Sequence, residues 1–109
     1  MSLSIPYEVV KETVKKALLQ AGLTEEQAEI CAGIHAQSSA DGVESHGLNR
    51  IPRFVQYIRR GWVDLDGKPE KKGAKGAVEN YDGHLGIGIL NGLFCADRAV
   101  ELAKVHGIG

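Results

Sequence analysis

The run Ser45-His46-Gly47-Leu48-Asn49-Arg50 sets a titratable imidazole and a fixed positive charge four residues apart at the head of an apolar-striped segment. Those two groups suit reduction of a 2-oxo acid. The carbonyl oxygen needs a proton donor and the neighbouring carboxylate a planar cation, and histidine and arginine supply both at physiological pH. If the segment is one continuous helix with residues about 100° apart, His46, Arg50 and Arg53 fall within roughly 60° of one another, and Leu48, Ile51, Val55 and Ile58 face the other way. The free N–H groups at a helix start favour a bound carboxylate and disfavour imidazolium. Ser45 either orients His46 by a hydrogen bond or caps the helix. Taken alone, a His-x-x-x-Arg pair on a helix most often describes a solvated face.

Around these residues the chain has the pattern of a helical scaffold. Between Tyr7 and Ala21, apolar Val10, Val14, Ala17, Leu18 and Ala21 recur at helical spacing with lysines and glutamate between them, which predicts an amphipathic helix. Gly22 follows as a left-handed stop, and Thr24-Glu25-Glu26-Gln27 has the form of a capping box. The second helix, to about Ala40, carries the small residues Ala28, Cys31, Ala32, Ala36 and Ala40, so the two should pair as a hairpin over residues 5–40. Asp41-Gly42 breaks it, and residues 41–62 hold the signature run and a third helix ending near Gly61. Pro52 cannot sit deep in that helix, so either the regular helix begins just before Pro52 or its first turn is tightened around His46. Residues 63–83 read as a polar loop with a short strand at Ala77–Tyr81. Residues 84–107 read as a long helix closed by Gly107 and apolar on so much of its circumference that it needs cover on more than one side. The expected class is mainly α with a short β element (α+β), read as a single unit over residues 1–109.

Composition narrows the function classes. The 109 residues are 43% hydrophobic and 25% charged with a net charge of −1, which describes an ordinary globular chain and argues against a nucleic-acid partner. Lys71, Lys72 and Lys75 cluster, but Glu70 and Glu79 flank them, as in a solvated loop. Cys31 and Cys95 stand apart in apolar stretches without ligand spacing, which predicts two buried reduced thiols. No HExxH or Cys/His cluster predicts a metal, and no leader or long apolar run predicts secretion or a membrane span, so the cytoplasm is the expected location. Trp62, after Gly61, is expected to cover a core edge or, if exposed, to mark a partner surface.

The thirteen residues Gly42-Val43-Glu44-Ser45-His46-Gly47-Leu48-Asn49-Arg50-Ile51-Pro52-Arg53-Phe54 resemble the signature of the malate/L-lactate dehydrogenase family of non-Rossmann NAD(P)-dependent oxidoreductases. The similarity extends over nearly the whole chain, to His106-Gly107-Ile108-Gly109. The resemblance implies that His46 is the acid/base at the substrate carbonyl, that Ser45 belongs to the relay orienting it, and that Arg50 holds the substrate carboxylate. Arg53 matches the pattern, with no role beyond packing or a surface charge pair. The resemblance also implies NAD or NADP as cofactor, a small 2-oxo or 2-hydroxy acid as substrate, and a homodimer. It places the third, acidic relay residue and most cofactor contacts downstream of Gly109, so the chain reads as an N-terminal fragment that lacks turnover by itself.

Two alternatives stay open on the residues. Gly86, Gly88 and Gly92 form a GxGxxxG pattern after a possible strand, near a dinucleotide fingerprint, but that fingerprint also needs a parallel second strand and an acidic residue about twenty positions on. In the resembled family the turn is packing. The other alternative is a non-enzymatic helical domain that self-associates through exposed apolar faces. His35 inside the second helix, His84 in the glycine turn and His106 near a helix end have no convergent partners for a metal.

Overall fold

The computed structural model describes residues 6–42 and 47–109. The chain forms two compact units, residues 1–62 and 63–109, each considered by itself. Helices dominate: α1 (Tyr7–Ala21), α2 (Glu25–Ala40), α3 (Ile51–Arg59) and α4 (Gly88–His106), with strands β1 (Glu70–Lys75) and β2 (Val78–Asp82). The mainly α, α+β expectation is borne out.

In the first unit α1 and α2 pair as the predicted hairpin. Gly22 takes the left-handed conformation at φ 113°, and the N–H of Leu23 reaches the carbonyl of Leu18 at 3.2 Å, closing α1 with two of its free carbonyls satisfied. The capping box is present in full: Gln27 N–H donates to Thr24 Oγ1 at 3.2 Å, and Thr24 N–H donates to Gln27 Oε1 at 3.0 Å. The small residues of α2 do what their size allows, since Ala28, Cys31, Ala32 and Ala36 are all buried beside Val14, Leu18 and Leu23. Lys15 bridges Glu25 and Glu29, and Lys11 pairs with Glu29, so the rim of the hairpin is charge-matched in antiparallel register. Burial pushes the Cys31 thiol up to about 11, which keeps it protonated and inert. α3 packs against α1 through this core, with Ile51 buried.

The second unit departs from the expected loop and lone strand. Glu70–Lys75 is itself a strand, antiparallel to β2, from Glu70 opposite Asp82 to Lys75 opposite Val78, with a bulge between Lys71 and Gly73. Gly76, at φ 57°, makes the two-residue connection possible. The sequence Glu-Lys-Lys-Gly-Ala-Lys lacks the β-branched and aromatic residues that mark strands, so pairing with β2 decides its conformation. This sheet is antiparallel and two-stranded, so the described residues have no parallel second strand of the kind a Rossmann half requires.

Tyr81 meets Phe94 of α4 edge-on at 5.0 Å, and Arg98 of α4 grips Glu79 with two hydrogen bonds, at 3.0 and 3.1 Å. Even so, α4 has no buried residue. Leu93, Val100, Val105 and Ile108 are exposed, as is Cys95, which corrects the expectation of two buried thiols: with no cover on its outer sides α4 leaves the second thiol at the surface. No helix among the described residues is long and apolar enough to cross a membrane.

Candidate active-site segment

The site segment begins where α2 ends. Asp41 closes α2 and accepts a hydrogen bond from Gln37 Nε2 at 2.8 Å, and Gly42 turns the chain at φ 84°. Ser45 and His46, the expected relay and acid/base residues, lie outside the described residues. Description resumes at Gly47, whose backbone (φ −101°, ψ −133°) is not helical. Among the described residues the helical run starts at Leu48, after the non-helical Gly47.

From Leu48 the chain takes a tight 3-10 turn, Leu48–Arg50, and passes into α3 at Ile51. Pro52 then occupies the first turn, where its missing N–H has no intrahelical acceptor to lose. Thus the regular helix begins just before Pro52. Arg50 stands at the junction, exposed. Leu48, expected on the packed side, is 39% exposed, because the tighter turn rotates it away from the stripe that Ile51, Val55 and Ile58 follow. Arg53 is exposed.

Ser39, which the sequence did not single out, holds this segment. Its Oγ accepts a hydrogen bond from Leu48 N–H at 2.9 Å, and Gly47 is buried directly against it. A Cβ on Gly47 would lie 3.0 Å from both Ser39 Cβ and Ser39 N and would collide with Oγ. The only local hint was a hydroxyl near a helix end, which many helices share.

The far end of α3 is basic and aromatic. Arg59 and Arg60 lie where the helix dipole favours cations, and the Arg60 guanidinium sits 5.2 Å from the Trp62 ring centre. Trp62 also meets the Tyr57 ring at a tilt, with centroids 5.3 Å apart, and is 56% exposed, so it does not cover a core edge. An open groove of about 520 Å³ runs along this face, lined by Pro52, Val55, Gln56, Arg59 and Arg60; it includes neither Arg50 nor Arg53.

In the second unit, the glycine turn is a packing device. Gly86 and Gly67 approach so closely that a Cβ on either would meet the other's backbone, whereas Gly88 and Gly92 border open space. His84 takes a left-handed conformation held by Asp82 and Glu70, and it faces no third ligand. Among the described residues no group of three or more potential ligands could hold a metal ion.

The sequence profile of the family described as malate/L-lactate dehydrogenase matches residues 5–109, nearly the whole chain. The chain belongs to the malate/L-lactate dehydrogenase family. It is 39% identical over 107 residues to 2,3-diketo-L-gulonate reductase of Citrobacter koseri, covering 98% of this chain and 32% of that protein. Its fold is similar to that of malate dehydrogenase from Pyrococcus horikoshii OT3, with a TM-score of 0.91, 31% identity, and coverage of 98% of this chain and 31% of that one. It also resembles sulfolactate dehydrogenase from Methanocaldococcus jannaschii, with a TM-score of 0.84 and 25% identity over 94% of this chain and 30% of that one. The chain thus spans about a third of the length of the family members it matches.

Proposed function

We propose that this chain carries the substrate-binding segment of an oxidoreductase that interconverts a 2-oxo acid and a 2-hydroxy acid with NAD(P)H. The observation that carries this is the coincidence of the family match with a run, residues 42–54, containing a histidine and an arginine suited to that chemistry. Arg50 holds the substrate carboxylate, exposed at the head of α3 where N–H groups lack intrahelical acceptors. His46 delivers the proton to the carbonyl oxygen and Ser45 orients its ring. Relatives named for 2,3-diketo-L-gulonate and malate, and a family named for malate and L-lactate, support a 2-oxo or 2-hydroxy acid as the substrate class. Reduced nicotinamide, NADH or NADPH, supplies the hydride in such a reaction.

The 109 residues alone are accordingly inactive toward 2-oxo acids with either reduced cofactor, yet bind a small dianion. Titration with oxalate or tartrate tests this. Affinity should fall roughly tenfold to a hundredfold in Arg50→Ala, the scale of a lost charge-assisted hydrogen bond, and also fall in His46→Ala. Robust turnover by this chain, or dianion binding indifferent to both substitutions, would overturn the proposal.

A second reading, compatible with the first, is self-association of the chain, as expected of a homodimer in the cytoplasm. It is favoured by α4, which keeps large apolar side chains at the surface.

A further inference from the structure

Gly47 stands at the cap position of the helical run that leads to Arg50 and has no side chain with which to cap it. The N–H groups at that start have no acceptor within the helix. One of them, on Leu48, is instead satisfied from another element: Ser39, in the last turn of α2, accepts it at 2.9 Å through Oγ. The same residue sets the spacing, since Gly47 lies against Ser39 with no room for a Cβ. Ser39 in turn belongs to a helix whose Ala28, Cys31, Ala32 and Ala36 are buried in the hairpin core. A rigid packed helix thus ends in a hydroxyl that grips the first turn of the segment bearing Arg50.

We propose that Ser39 is a positioning residue, a cap supplied from α2 that fixes where the Arg50 guanidinium stands relative to a substrate carboxylate. The proposal rests on Arg50 being the carboxylate ligand. Alanine at position 39 removes the acceptor without a helix-propensity cost, so the fold should survive. Threonine keeps a hydroxyl at the same γ position.

The test compares wild type, Ser39→Ala, Ser39→Thr and Arg50→Gln by NMR, each titrated with oxalate, with hydrogen exchange of the Leu48 amide measured alongside. Ser39→Ala should deprotect the Leu48 amide and weaken oxalate binding roughly threefold to tenfold, the scale of one net hydrogen bond. Ser39→Thr should restore both, and the amides of residues 28–36 should be unchanged in all four proteins. Weakening in Arg50→Gln with none in Ser39→Ala would overturn the positioning role and leave the Arg50 assignment standing. Weakening in Ser39→Ala that threonine fails to restore would overturn the role of the hydroxyl. Absence of oxalate binding to wild type, or binding indifferent to Arg50→Gln, would overturn the Arg50 assignment and this proposal with it.

Discussion

At the scale of single residues, the site segment depends on a contact between a glycine and a serine eight positions apart in sequence. Gly47 has no room for a side chain, because a Cβ there would collide with Ser39. Gly47→Ala should therefore force Ser39 or the 3-10 turn to move, at a cost of about 1–3 kcal/mol typical of overpacking. Urea unfolding would measure it, and an unchanged midpoint would mean that the junction yields freely. His46 and Arg50 stood out in the sequence because imidazole and guanidinium carry chemistry by their type. Ser39 did not, because serine is an ordinary residue near a helix end until its partner is known.

At the scale of elements, the β1–β2 sheet and α4 of the second unit are joined by a carboxylate. Glu79 is almost buried, and hydrogen bonds from Arg98 and then Lys71 hold its carboxyl down to about 2, against an ordinary 4.5. A carboxyl lowered in the folded state stabilises that state fully above its unfolded pKa, and the contribution disappears as pH falls through the folded one. Thermal unfolding of the wild type should thus lose stability between about pH 4.5 and pH 2. Glu79→Gln should melt lower at pH 7 and show a shallower acid slope. Parallel acid slopes in the two proteins would show that the pair contributes nothing. This pair was hidden in the sequence because β1 is built of lysine, glycine, alanine and glutamate, and a mostly polar run without alternation is indistinguishable from a loop until β2 pairs with it.

At the scale of the whole molecule, α4 is the unfinished part. Its apolar circumference was legible from Leu90, Leu93, Phe94, Ala99, Val100 and Leu102, and the lack of any buried residue on it shows that the described residues supply too little cover. Val100, Val105 and Ile108 are 55%, 78% and 71% exposed, enough apolar surface to favour association. Sedimentation of the 109-residue chain should show mass rising with concentration. Val105→Glu should shift the equilibrium toward monomer by placing a charge in the contact. A chain that stays monomeric at hundreds of micromolar would remove the self-association reading.

By itself the amino-acid sequence determined the helices, their stops at Gly22 and Gly107, the capping box at Thr24 and the identity of the groups proposed to act on an oxo acid. Each of these depends on side chains within a turn or two of one another, where propensity, capping and charge are nearly independent of the rest of the chain. Tertiary structure alone decided that Gly47 is non-helical, that Ser39 caps the Arg50 segment, that a lysine-rich run becomes a strand, and that Trp62 and Cys95 face outward. Those outcomes hinge on which distant surfaces meet and which find no partner, and local rules cannot encode such choices.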